Sequence, residues 1–316
     1  MNKKFISVFT PVYNEEENIL AIYNAVKTVM THIGKSYDYE HVFSDNASND
    51  NSLLMLKEIC SDDKRVKVIS LSKNFGVTKS TLNGLFRCEG EAIIQIDADL
   101  QDPPKLIIDF LKKWEEGYSV VYGIRDDRDE NWFMKTLRKI FYRVANKLSN
   151  ENLIPDVGEF RLIDKKILME LKKIEDSNPY LRGIIANIGF DQIGIPYYRE
   201  KRNSGKTSTN LFTLFDYGIN GIISHSTILL RLSTIVGLIL SSISFILIIL
   251  NILLKLILQQ SPPGLTSLMI FILFFAGIQM IFLGIIGEYV SKIFIQSISR
   301  PLVIEKEIIN FETAEN

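Results

Sequence analysis

From Leu232 to Leu254 the chain runs for 23 residues without an Asp, Glu, Lys or Arg. As a helix rising about 1.5 Å per residue it reaches roughly 35 Å, enough to cross a hydrocarbon core of about 30 Å. Lys255 interrupts the run, and Gln259-Gln260-Ser261-Pro262-Pro263-Gly264 reads as a turn. A second uncharged run follows from Leu265 to Ile286 and stops before Glu288. A buried soluble hairpin is the competing reading, but soluble core helices seldom stay uncharged on every face for so long. The expectation is a two-helix transmembrane hairpin over residues 232–287 with a very short connection.

Flanking charge orients it. Arg231 precedes the first run, and Lys292 and Arg300 follow the second. Basic residues collect on the cytoplasmic side, so both termini are expected there and the Pro262-Pro263 turn on the far side of the cell membrane. Lys255 sits near the far end of its helix, within reach of the interface. The N-terminus does not read as a signal peptide: Lys3 and Lys4 precede only a short apolar stretch, which Glu15-Glu16-Glu17 closes. The expected organisation is a cytosolic domain over 1–210, a juxtamembrane helical segment over 211–231, the hairpin, and a cytosolic tail over 288–316.

Composition removes other classes. The 316 residues carry 36 Lys+Arg against 37 Asp+Glu, a formal net charge of −1, which argues against a nucleic-acid binder. At 47% hydrophobic and 23% charged residues the chain is not disordered. Cys60 and Cys88, with His32, His41 and His225 scattered, build neither a disulfide scaffold nor a zinc site.

The first 125 residues alternate strand and helix patterns. Phe5–Thr10, Val42-Phe43, Val66–Leu71, Ala92–Ile96 and Ser119–Tyr122 are strand candidates. Helical spacing occupies Glu16–Ile33, Asn51–Cys60, Thr78–Phe86 and Pro104–Trp114. Such alternation means an α/β domain with a Rossmann-like, mostly parallel sheet. Ligands of these sheets bind outside the carboxyl ends of the strands, so the polar residues after each strand carry the function. Those are Thr10–Glu16, Asp45–Asp50 and Asp97–Pro104. Asp97 and Asp99 lie two apart on an extended segment and share a face, which Gln101 continues. Two carboxylates and an amide oxygen are hard ligands suited to Mg²⁺ or Mn²⁺ on substrate phosphates. A helix-capping loop, with Asp102 as N-cap before Pro104, accounts for the same residues, and both readings can hold together. No phosphate-binding G-x-x-x-x-G-K-[ST] loop and no G-x-G-x-x-G follows the first strand, which removes the main support for NTPase and dinucleotide oxidoreductase readings.

Thr10–Glu15, Leu71–Gly76, Ile96–Pro104 and Val121–Arg125 together resemble the family 2 glycosyltransferases. Phe160-Arg161-Leu162 and Arg202-x-x-Gly205-Lys206, leading into the hairpin, narrow the resemblance to the polyprenyl-phosphate branch. That branch includes bactoprenol glucosyltransferases and dolichyl-phosphate mannose synthases. The resemblance covers nearly the whole chain in order. It implies a GT-A type domain, a nucleotide sugar as donor (UDP-linked in bacterial relatives of this architecture) and a polyprenyl phosphate as acceptor, undecaprenyl phosphate in a bacterium. It also implies a site. Pro11, Tyr13, Glu15 and Asp45 would line the nucleobase and ribose pocket, and Asp97 would contact the nucleotide. Asp99 and Gln101 would hold Mg²⁺ or Mn²⁺ on the diphosphate. Arg125, Arg138, Arg202 and Lys206 would meet the donor diphosphate or the lipid phosphate. Asp99, Glu159, Arg202 and Lys206 would form the catalytic group. Two departures stand out. Where the family often has Gly-Asp-Phe-Arg-Leu, with that Asp suggested as a base, this chain has Gly158-Glu159-Phe160-Arg161-Leu162. Where many members have Asp-Asp-Gly-Ser, it has Asp45-Asn46-Ala47-Ser48. A Lys common two residues after Lys206 is Ser208 here, which gives its role to Lys206.

A phosphate monoester has a second pKa near 6 and is largely ionised at pH 7. Such a nucleophile needs little base catalysis, so Glu159 is expected chiefly as an electrostatic or positioning group. Two anions must meet, which calls for cations; Arg125, Arg199, Lys201, Arg202 and Lys206 supply them. A solvated or membrane-anchoring charge run is the other reading of 199–206. Residues 131–149 read as a basic amphipathic helix, lying on a membrane surface or packing on the core. A processive polysaccharide synthase would share the carboxylates but needs more spans and a Gln-x-x-Arg-Trp string, which is absent. A non-catalytic nucleotide-sugar-binding module is the remaining alternative. Oligomeric state is not legible, and a homo-oligomer is left open.

Overall fold

The computed structural model describes residues 3–125, 157–174, 176, 179, 181–198, 228–258, 264–298 and 301–311. They form two compact units. The first holds the strands and short helices, including the segment after residue 298; the second holds the two long helices.

Eight strands build one sheet in the first unit: β1 (Lys4–Val12), β2 (Tyr37–Asp45), β3 (Val66–Leu71), β4 (Ala92–Gln95), β5 (Val120–Arg125), β6 (Val157–Asp164), β7 (Gln192–Tyr197) and β8 (Glu305–Ile309). Their order is β7-β5-β6-β4-β1-β2-β3-β8. β1 pairs in parallel with β2 and β4, β2 with β3, and β5 with β7. β6 runs antiparallel between β4 and β5, and β8 runs antiparallel on the outer edge of β3. The sheet is thus mixed but mostly parallel. Consecutive strand residues divide between its faces: Val42 and Phe43, Val68 and Ile69, Ile93 and Ile94, Val120 and Val121 each contribute one side chain to each of two apolar layers. Burial on both faces makes these strands unbroken apolar runs.

Helices cover both faces. α1 (Ile19–His32) buries Ile19, Ile22, Tyr23, Val26 and Met30, a single stripe at helical spacing. With α2 (Ser52–Asp62) and α4 (Ile107–Glu115) it packs one layer. α3 (Val77–Phe86), α5 (Lys165–Leu171) and α6 (Leu181–Asn187) pack the other. The sequence-derived strands and helices up to residue 125 coincide with observed elements.

In the second unit, α7 (Ile228–Leu258) and α8 (Leu265–Ser297) are single helices of 31 and 33 residues. They run past the limits of 232 and 287 expected for a hairpin. Among the described residues one stretch, Phe274–Ser297, is long and apolar enough to cross a membrane. The segment expected as a tail over 288–316 contains the end of α8 and the whole of β8. The amphipathic segment 131–149, the juxtamembrane stretch 211–227 and the turn 259–263 lie outside the described residues.

Candidate active site

At the carboxyl ends of β1, β2 and β4 lies a cavity of about 610 Å³. This is where the sheet order reverses: from β1 the chain proceeds outward through β2 and β3, then returns to β4 on the other side of β1. Pro11, Tyr13, Glu15, Asn46, Asp50, Asp97 and Asp99 all line it.

The loops that form it are locked by polar side chains. Asn14 N donates to Ser48 Oγ at 2.9 Å, Glu15 N to Ser52 Oγ at 2.9 Å, and Asn49 N to Asn14 Oδ1 at 2.8 Å. The polar run after β2 is therefore a set of inter-loop bonds, which leaves Tyr13 projecting with 42% of its surface exposed. Asp45 lies beneath the loop rather than on the cavity wall. It is fully buried and accepts a bond from Ser48 N at 3.2 Å, and burial raises its pKa. Its neighbour Asn46 does line the cavity, and it ties this loop to the next by donating to Asn74 Oδ1 at 3.0 Å while accepting from Phe75 N at 3.0 Å.

After β4 the backbone turns sharply at Leu100, whose φ of 55° is left-handed, a conformation bulky L-residues seldom adopt. The turn brings Gln101 N onto Asp99 Oδ1 at 3.2 Å and sends Asp102 inward, where its side chain is fully buried. There Tyr197 Oη donates to Asp102, Arg125 Nε donates to Tyr197 Oη at 3.3 Å, and Arg125 Nη2 lies 3.8 Å from Asp102 Oδ2. Two glycines make room: a Cβ on Gly158 would sit 2.6 Å from Arg125 Nη2, and one on Gly123 would sit 2.6 Å from the Tyr197 ring.

Glu159, on β6, occupies the same end of the sheet. Its Oε2 accepts from Arg161 Nη2 at 2.5 Å and from Gln95 Nε2 at 3.4 Å, and its Oε1 from Arg182 Nε at 2.5 Å. Burial alone would raise the Glu159 carboxyl, but the Arg161 and Arg182 guanidinium groups outweigh it and hold it down at about 2. Asp97 behaves oppositely. Removal from water, then repulsion by Asp102, Glu159 and Asp99, pushes it up to about 7, against the pull of Arg125.

This crowding of carboxylates tests the site for a cation. Negative charge is in excess around Asp97, which fits a divalent ion with hard oxygen ligands. Among the described residues no three His, Cys, Asp or Glu side chains converge as a closed cage. An ion on Asp99 and Gln101 would therefore complete its shell with substrate oxygens and water. Of the other expected site residues, Arg138, Arg202 and Lys206 lie outside the described residues. Arg161 is a further residue of this end of the sheet, flagged in the sequence only by its place in Phe160-Arg161-Leu162, and no sequence signal separates Arg182 or Tyr197 from their surroundings.

A family model described as "Glycosyl transferase family 2" matches residues 7–172. An uncharacterized glycosyltransferase of Bacillus subtilis, YkcC, is 36% identical over 307 residues, 97% of this chain and 94% of that protein. A prophage bactoprenol glucosyl transferase homolog of Escherichia coli is 35% identical over 304 residues, 96% and 99% of the two chains. The bactoprenol glucosyl transferase of Shigella phage SfV is 34% identical over 302 residues, 95% and 98%. The mixed, mostly parallel sheet with helices on both faces is a GT-A-like α/β fold. The chain belongs to glycosyl transferase family 2.

Proposed function

We propose that this glycosyltransferase moves a sugar from a nucleotide sugar, UDP-linked, onto polyprenyl phosphate, undecaprenyl phosphate in a bacterium. The carrying observation is that similarity to proteins named bactoprenol glucosyl transferases runs through both long helices rather than stopping at the sheet domain. Tyr13, Pro11 and Glu15 take the nucleoside, with Asp45 supporting the loop from below. Arg125, Arg138, Arg202 and Lys206 are assigned to phosphates. Mg²⁺ or Mn²⁺ on Asp99 and Gln101, when bound, offsets the charge that builds on the departing diphosphate.

The reaction is a single inverting displacement. A phosphate oxygen of the acceptor forms the new bond to the anomeric carbon while the bond to the nucleoside diphosphate breaks, and the diphosphate leaves with the electron pair. No proton has to move, because the acceptor oxygen is already ionised near neutral pH. A carboxyl held at about 2 is a weak base, which supports an electrostatic and positioning role for Glu159.

Membrane insertion fits the same reading. Leu238, Ile246, Leu253 and Ile257 of α7 and Phe271, Met280 and Phe294 of α8 are large apolar side chains left exposed, as lipid-facing residues would be. β8 follows α8 in sequence and pairs with β3, so the chain leaves the sheet domain and comes back to it. An even number of crossings, two, satisfies that connection, with both termini cytoplasmic. Membranes containing the protein, given radiolabelled nucleotide sugars and polyprenyl phosphate, should yield a chloroform-extractable labelled lipid. Labelled polymer would instead indicate a processive synthase, and no product a binding module. A cysteine at position 261 should react with membrane-impermeant reagents added to intact cells; reaction with permeant reagents alone would refute the two-span orientation.

A further inference from the structure

We propose that Asn46 reads the edge of the donor's nucleobase and selects uracil over cytosine. The assignment rests on the nucleotide-sugar reading above and names the residue that picks the uridine form.

Asn46 follows β2 directly, lines the strand-end cavity and is only 3% exposed. Its neighbour Asp45 is fully buried and does not line the cavity. Half a rotation of an amide side chain exchanges its oxygen and its nitrogen, and this amide is held against that. The Phe75 backbone N–H donates to Asn46 Oδ1 at 3.0 Å. A backbone N–H can only donate, so the oxygen is fixed on that side. Asn46 Nδ2 donates to Asn74 Oδ1 at 3.0 Å. Asn74 Oδ1 is held as an acceptor in its own right, because it takes the Gly76 N–H at 2.8 Å. Two backbone donors, at Phe75 and Gly76, thus set the order of both amides. The Asn46 backbone N–H donates to the Val12 carbonyl oxygen at 2.9 Å, which ties the residue to the end of β1.

These bonds use half of the Asn46 amide. One N–H and one oxygen lone pair remain, and no other described residue takes either. A donor and an acceptor in fixed order discriminate between bases by their edges. Uracil carries an N3–H donor beside the O4 acceptor, so it satisfies Oδ1 and Nδ2–H together. Cytosine carries the reverse, an N3 acceptor beside an N4 amino donor, and each of its groups would meet its like. An amide free to turn would serve both bases; this one serves uracil. Tyr13 and Val77, 42% and 69% exposed, line the same cavity and offer apolar surface to the faces of the ring.

The experiment measures binding of UDP, CDP and 3-methyluridine diphosphate to the purified full chain by calorimetry, with Mg²⁺ present. The wild type should bind UDP about 10-fold or more tightly than either of the others, the effect of mispairing one two-bond edge. Asn46→Asp, which offers two acceptors, should bring the UDP and CDP constants within about threefold of each other. Asn74→Ala leaves Asn46 in place but removes the acceptor that orients Nδ2. CDP should bind this variant more tightly than it binds the wild type, a gain that loosening of the loop alone would not produce. Melting temperature certifies each variant as folded. A wild type with no preference between UDP and CDP overturns the assignment, as does a folded Asn46→Asp that keeps the full preference. In either case, lipid-linked sugar made from a UDP-sugar leaves the proposed function standing. A wild type that binds no uridine nucleotide overturns both.

Discussion

The Tyr197 hydroxyl donates a hydrogen bond to the Asp102 carboxylate, tying the edge strand β7 to the loop that follows β4. The two residues are 95 apart in sequence, and the bond fixes the segment that carries Asp99 and Gln101. Replacing Tyr197 by Phe removes a bond to a buried carboxylate and should destabilise the domain by about 1–3 kcal/mol. The variant should unfold at lower denaturant concentration and transfer sugar more slowly. An unfolding midpoint equal to that of the wild type would show that the bond contributes nothing.

Ala47 has a φ of 59°, in the left-handed region, where a Cβ costs roughly 1–2 kcal/mol. Glycine avoids that cost but loses more entropy on folding. Ala47→Gly should therefore stabilise the protein by about 0.5–1 kcal/mol, read as a higher melting temperature, with transfer activity retained. A lower melting temperature would mean that the Ala47 methyl makes packing contacts worth more than the strain.

Asp99→Asn keeps size and removes charge at the cavity wall. Transfer should be abolished while UDP-independent stability is preserved. In the wild type, activity should disappear with EDTA and return with Mg²⁺ or Mn²⁺. Chelation without effect would remove the cation from the reaction.

The pH dependence has a fixed sign at Glu159. Its folded-state pKa, about 2, is depressed from 4.5, so its clamp stabilises the fold fully above pH 4.5 and loses that contribution as pH falls toward 2. The stability gap between wild type and Glu159→Gln should be constant from pH 8 to 5 and shrink below pH 4.5. Turnover should instead rise through about pH 6 with ionisation of the acceptor phosphate, and Glu159→Gln should keep that profile with less than about 10²-fold loss in kcat. A loss above about 10³-fold, with donor binding intact, would make the carboxylate a true base.

The parallel half of the sheet was legible because its strands are buried on both faces, and Val66–Leu71 or Ala92–Gln95 can hardly be anything else. The antiparallel additions were hidden by their charges. β6 carries Glu159 and Arg161 in its interior, which the structure tolerates because the two side chains satisfy each other. β7 contains Pro196, acceptable on an edge strand. β8 reads as a polar tail, but Glu305 pairs with Arg87 and Glu307 with Lys57. In the site, the strand-end carboxylates announced themselves through chain order. Arg182 did not, because its significance is a contact with a residue 23 positions earlier that no local pattern encodes.

β8 also sets a timetable for synthesis. A ribosome completes the first seven strands before either long helix, and it makes β8 after both. Until then β3 is an open edge, with Val68 to Leu71 presenting unpaired backbone groups while the two long helices are being made. Closure of the sheet reports that both helices have been made, so a chain cut short anywhere beyond β7 would carry an intact cavity and an exposed strand edge. Such fragments are natural clients for chaperones and proteases, which can read the unfinished edge directly.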